Sequence, residues 1–143
     1  MGRFYMDKID VIDKLVHQWL KIAERDMIIA QRELEIEPNI TDIICFHCQQ
    51  AVEKYMKAFL TKHQIEFPKT HSIMTLINLC SKEDSSFKAK LSNADILTDY
   101  AVEIRYPDEW YEPTIEEARK AYELAKEVKN FVIEKLDLPD VKE

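Results

Sequence analysis

Glycine is almost absent. The chain has one, Gly2, in 143 residues, and it precedes every segment with a structural pattern. Sheet proteins place glycine in tight turns where φ is positive, so its shortage argues for helices. No run approaches the ~18 consecutive apolar residues of a membrane span. The first twenty residues also lack the continuous apolar segment of a secretory signal. The three cysteines form an odd set with no export signal, which fits reduced thiols in a cytoplasm. Positive charge is the scarcer sign: 20 bases against 27 acids leave a net charge of −7. That excludes a surface coated wholesale by nucleic acid and leaves room only for a local basic patch. A Gly-rich phosphate loop, a G-x-S-x-G elbow and an H-E-x-x-H helix are all missing.

What is present reads as one globular helical domain over residues 1–143, with its core over roughly 9–136. The chain is 46% apolar and 33% charged, a globular rather than a disordered balance. Residues 9–34 form a first helix, with Val11, Leu15, Trp19, Ile22, Ala23, Ala30 and Leu34 as its apolar stripe. Pro38 and Asn39 break it. A second helix starts near Thr41 or Asp42 and runs to about Lys62, carrying Ile44, Cys48, Ala51, Tyr55, Ala58 and Phe59 inward. A short helix spans Ser72 to Cys80, and "SKEDSSFKAK" holds at most a turn. The next helix, "SNADILTDYAVEIR", is capped by Ser92 with Asp95 three residues on, and its stripe is Ile96, Leu97, Tyr100, Ala101 and Ile104. Pro107 disfavours helical geometry at Tyr106, which ends that helix at Arg105. Thr114 and Glu117 form a capping box for the last helix, whose apolar face is Ala118, Ala121, Ala125, Val128 and Val132. The expected architecture is all-α: an up-and-down antiparallel bundle of four main helices plus a short inserted helix.

Several polar residues are not explained by this pattern. Asp26 falls inside the apolar stripe of the first helix, so it either reaches water at the bundle mouth or has a buried partner. Arg105 is the first choice, because a guanidinium stays charged and grips a carboxylate with two hydrogen bonds. His47, Gln50 and Lys54 line one flank of the second helix, as an ordinary solvated border or as the wall of a site. Ile43 and Phe46 point away from the main stripe, marking either singly exposed apolar residues or a dimer contact. "CFHCQQ" invites a metal reading through Cys45, His47 and Cys48, completed by Cys80 and His71. It lacks the second ligand pair of a structural zinc site, and buried free cysteine is the commoner role. His71, beside Lys69 at a helix start, either caps that helix or contacts a phosphate or ribose. The adjacent acids Asp108 and Glu109, like Glu116 and Glu117, read mostly as solvated or helix-start charge.

"WLKIAERDMIIAQREL", "FHCQQAVEKYMKAFL", "KTHSIMTLINL" and "EIRYPDE" together resemble prokaryotic HEPN-domain proteins over roughly residues 12 to 135. The resemblance, closest to a stand-alone branch carrying "RYPD", implies a helical bundle that forms a homodimer and resembles the helical half of kanamycin nucleotidyltransferase. It also implies a possible partner, a minimal nucleotidyltransferase subunit, in a nucleotide-handling or toxin–antitoxin pair. The expected ligand is a nucleotide or RNA, with no cofactor, no resident metal and no membrane. Many relatives are metal-independent ribonucleases that use an arginine followed four to six residues later by histidine. Here that histidine position falls among Trp110, Tyr111 and Glu112, none of which titrates near neutral pH as imidazole does. The resemblance therefore favours binding: Arg105 holds a phosphate or braces Asp26, Tyr106 stacks on a base, and Asp108, His47, Gln50, Lys54, Lys69 and His71 are further contacts. An endoribonuclease toxin using His47 or His71 is the rival, and a dimeric scaffold without a small ligand is the third reading.

Overall fold

The structure, a computed structural model, describes residues 8–102 and 106–138. Its elements are α1 (Lys8–Glu35), α2 (Thr41–Lys62), α3 (Ile73–Glu83), α4 (Ser86–Leu91), a 3₁₀ helix (Ser92–Ala101) and α5 (Ile115–Leu136). The all-α bundle expected from the sequence is what forms. Among the described residues no helix is long and apolar enough to cross a membrane.

α1 and α2 run antiparallel, and ion pairs mark their register. Asp13 meets Lys62 at 3.2 Å near one end, and Asp26 meets Lys54 at 2.6 Å further along. The turn between them is closed by Asn39, whose side-chain amide donates to the carbonyls of Glu33, Leu34 and Ile36. The Glu33 and Leu34 carbonyls lack partners at the helix end, and the two amide hydrogens of Asn39 are shared among them and the Ile36 carbonyl. α2 is the central element and packs against α1, α3, α5 and the 3₁₀ helix. Its predicted stripe is buried throughout, and so are Cys45, Gln49, Val52, Glu53, Met56 and Leu60. α5 begins with the predicted capping box, in which Thr114 accepts from the Glu117 N–H and the Glu117 carboxylate accepts from the Thr114 N–H. Its predicted apolar face is buried. α4 is short but anchored by Phe87, which packs on Phe59 and Phe131.

Two stripes differ from expectation. On α1 the core face is Val16, Ala23, Met27 and Ala30, with Ile12, Trp19, Leu20 and Leu34 packed against it. Val11, Leu15 and Ile22 stand outside, because α1 carries two apolar lines and only one turns toward α2. The segment expected as a regular helix from Ser92 is instead a 3₁₀ helix, in which residues three apart align. Leu91, Ala94 and Leu97 are buried on one line with Tyr100 partly buried beyond them, and Ile96 turns out to 49% exposure. Ile104 and Arg105 lie outside the described residues.

Ser92 and Asp95 do not form a capping box. Ser92 donates its hydroxyl to the Lys88 carbonyl, and Asp95 caps a different helix, α3. At the start of α3, Ile73 N–H donates to Thr98 Oγ1 and Met74 N–H donates to Asp95 Oδ1, both at 3.0 Å. Thr75 N–H donates to Ser72 Oγ and the N-cap Ser72 N–H to Thr70 Oγ1. All four N–H groups that a helix start leaves open are therefore satisfied within the protein.

Candidate functional site

Asp26 is only 6% exposed, and its carboxylate is divided between two partners. Oδ1 lies 2.8 Å from His47 Nδ1, and Oδ2 accepts from Lys54 Nζ at 2.6 Å. An ionised carboxylate only accepts, so His47 donates through Nδ1 and keeps Nε2 as the open ring nitrogen. The acid thus fixes the ring orientation of His47 and the position of the Lys54 ammonium. Its partners come from the polar flank of α2, whereas Arg105, the expected partner, lies outside the described residues.

Gln50 belongs to a second network. Its amide donates to Gln49 Oε1 at 2.7 Å and reaches Glu53 Oε2 at 3.5 Å. Glu53, 4% exposed, also accepts from Gln49 at 2.7 Å, from Lys57 at 3.0 Å and from His71 Nδ1 at 2.9 Å. Burial pushes its carboxyl upward, but the hydrogen bonds from His71, Lys57 and Gln49 and the Lys57 charge outweigh burial and hold it below the ordinary glutamate value. Gln49 donates to the His71 carbonyl as well, so both the ring and the backbone of His71 are tied to α2. The imidazole is nevertheless two-thirds exposed, with side-chain exposure of 67%. Lys57 sits over the rings of Trp19 and Phe67, at 5.7 and 5.6 Å from their centroids. Sequence reasoning missed Gln49, Glu53 and Lys57. The available signal was their i, i+4 spacing on a helix buried on more than one side.

The other predicted residues lie around these networks. Phe46 is half-buried with its ring edge-on to His47 at 5.3 Å, and Ile43 is exposed. Lys69, Tyr106 and Asp108 are exposed. Trp110 donates its indole N–H to Asp42, and Tyr111 donates to Glu117. That hydrogen bond, helped by desolvation and by the Glu117 charge, raises the Tyr111 phenol above its ordinary value and away from neutral pH. The cysteines are buried. Burial, then the Glu117 charge, pushes the Cys45 thiol up to about 12, and burial pushes Cys80 to about 12. Burial raises Cys48 further still. Metal ligation needs thiolate, so these groups serve as small apolar fillers. Among the described residues no group of three or more acidic, histidine or cysteine side chains is arranged around a metal site.

The profile of the HEPN domain matches residues 16–136. The chain belongs to the HEPN family. The crystal structure of ST0689, an archaeal HEPN homologue, resembles it with a TM-score of 0.66 and 27% identity. The match covers 85% of this HEPN chain and 98% of that one. No curated protein matches. Within this HEPN domain, carboxylate-held histidines are His47 on α2, His63 just past its end, beside Glu83 at 3.2 Å, and His71 just before α3.

Proposed function

We propose that this HEPN chain is a nucleotide- or RNA-binding module. The observation that carries the reading is the Asp26 carboxylate ordering His47 and Lys54 on the same flank of α2. A pre-positioned ammonium and an imidazole with an open Nε2 suit phosphate oxygens, because little ordering remains to be done on binding. Arg105 adds a planar phosphate-gripping group, and exposed Tyr106 supplies a stacking face. His71 and Lys69 extend the polar surface, while Gln50 is engaged with Gln49 and Glu53. In this reading the protein acts as a homodimer beside a minimal nucleotidyltransferase, which brings the metal and the transfer chemistry. Calorimetry with ATP, GTP and a short single-stranded RNA tests it. Binding that weakens with salt and with Lys54→Ala or Arg105→Ala supports the module. No heat at millimolar ligand leaves the scaffold reading.

A second reading, a metal-independent endoribonuclease, gains support from the pairing of His47 and His71 with carboxylates through Nδ1, an arrangement that His63 shares with Glu83. A neutral Nε2 would remove the proton from a ribose 2′-hydroxyl, whose oxygen attacks phosphorus. An imidazolium would protonate the departing 5′-oxygen, leaving a 2′,3′-cyclic phosphate. Incubation of labelled RNA with protein in EDTA separates the readings. Cleavage that disappears in His47→Ala or Arg105→Ala replaces the binding module with the nuclease.

A further inference from the structure

α1 has a second apolar line that the bundle does not use. Leu15, Ile22 and Ile29 recur every seven residues and are 45%, 43% and 37% exposed. Ile36, one residue past the helix, continues the interval at 55%. From Leu15 to Ile36 the line extends about 30 Å at ~1.5 Å per residue. Beside it runs a row of exposed bases, Lys14, Lys21, Arg25 and Arg32. None of the four makes an ion pair or side-chain hydrogen bond among the described residues. Of the less exposed acids of α1, Asp13 pairs with Lys62, Glu24 with Lys129 and Asp26 with Lys54, while Glu33, between Ile29 and Ile36, makes no ion pair among the described residues. Between Val11 and Arg32 no exposed residue is acidic, on a chain whose net charge is −7, and exposed acids return only at Glu35 and Glu37 beside Ile36.

We infer that this face of α1 docks an acidic amphipathic helix of another protein. The seven-residue interval selects a helix as occupant, because such a line drifts only ~20° per heptad and is followed by a partner helix in a shallow left-handed wrap. The unmatched bases select acids on the partner's flank. A second copy fits poorly, since pairing α1 with itself in antiparallel fashion sets the two basic rows side by side. Among the described residues α5 does not offer the complement, since its exposed side mixes Glu116, Glu123 and Glu127 with Arg119, Lys120 and Lys126. A membrane surface fits less well, because the face carries no aromatic residue and the chain is acidic overall. Ile22 and Ile29 flank Asp26 on α1, so the surface adjoins the His47 and Lys54 flank, but the inference does not depend on the proposed ligand.

The probe is a synthetic peptide of about four heptads with an isoleucine–leucine seam and glutamate at the flanking positions. Its control carries lysine at those positions. Fluorescence anisotropy with the full chain is expected to show micromolar binding of the glutamate peptide only, with more than tenfold weakening on raising the salt. Ile22→Asp with Ile29→Asp should reduce binding at least tenfold while leaving the thermal midpoint of the domain unchanged. Arg25→Glu with Arg32→Glu should reverse the preference toward the lysine peptide. The inference is overturned if the glutamate peptide fails to bind, or if both peptides bind equally. It is also overturned if the isoleucine variant dissociates a wild-type dimer, which makes a second copy the occupant. Loss of binding to anionic phospholipid vesicles in that variant, without any peptide binding, would assign the face to a membrane.

Discussion

Asp26 of α1 and His47 of α2 meet through one hydrogen bond of 2.8 Å, Oδ1 to Nδ1, while the other oxygen of the same carboxylate holds Lys54. One buried acid thus sets the tautomer of a histidine and the position of an ammonium on a neighbouring helix. The same arrangement locks α1 to α2, so structure and ligand chemistry depend on the same atoms. Two substitutions separate these roles. Asp26→Asn leaves the shape but removes the charge, and should destabilise the domain by about 1.5–3 kcal/mol, the range for hydrogen bonds to charged groups. It should weaken phosphate binding less than loss of the ammonium does, because Lys54 keeps its charge and loses only the carboxylate that orders it. Lys54→Ala should lose phosphate affinity. Urea denaturation and calorimetry on the two variants read the difference.

Glu53 makes the domain sensitive to acid. Its carboxyl lies below the ordinary glutamate value in the folded state, so its stabilisation is complete above the unfolded value, about 4.3. It is lost as pH falls through the lowered folded value. Glu53→Gln removes that dependence and leaves donors from Lys57 and His71 facing an amide. Urea midpoints across pH 3–7 should show the variant less stable near neutrality by about 1.5–3 kcal/mol. The gap should close as the pH drops through the acidic end. A constant gap across the range would assign the effect to packing instead of charge.

The 3₁₀ helix makes a register prediction. With three residues per turn, Leu97 is buried and Ile96 is exposed. Leu97→Ala should cost about 2–5 kcal/mol as a cavity forms, and Ile96→Ala should stay within about 0.5 kcal/mol. Asp95→Ala should cost about 1–2 kcal/mol by uncapping α3. Thermal denaturation of the three variants checks the ranking, and comparable losses at residues 96 and 97 would contradict the register.

The parts legible in the sequence were those governed by local chemistry. Thr114 and Glu117 cap α5 through groups three residues apart, and the spacing alone announces the contact. The central stripe of α2 was legible because no competing apolar line is as regular. α1 was harder. Its line through Leu15 and Ile22 is as periodic as its line through Val16 and Ala23, and periodicity does not say which faces a neighbour. Ile96 was misplaced because a 3.6-residue period was applied to a segment with a 3.0-residue period. Glu53 and Gln49 escaped notice because amphipathic reasoning assumes one buried side, whereas α2 is covered on several. The pairing requirement of Asp26 was legible, but its partners depend on how α1 and α2 dock.

Thiol reactivity tests the burial of the three cysteines together. Cys45, Cys48 and Cys80 are fully buried, and their thiols are pushed far above neutral pH, mainly by burial. Since thiolate is the reactive form, a disulfide reagent such as DTNB should modify none of them in the native protein near neutral pH. All three should react on unfolding in urea, at a rate set by opening of the bundle. Rapid native labelling of any one would contradict the packing around α2 and α3.

Dimerisation through the N-terminal half of α2 is the remaining expectation. Ile43 is 39% exposed and Phe46 lies half-buried with its edge on the His47 ring, so both are placed for a partner without supporting the monomer core. Phe46→Glu introduces a charge that an apolar contact between copies would have to desolvate. Light scattering should show a dimer for the wild type at micromolar concentration and a shift toward monomer for Phe46→Glu and Ile43→Glu. If both variants remain dimeric at wild-type strength, the interface lies on another face of the bundle.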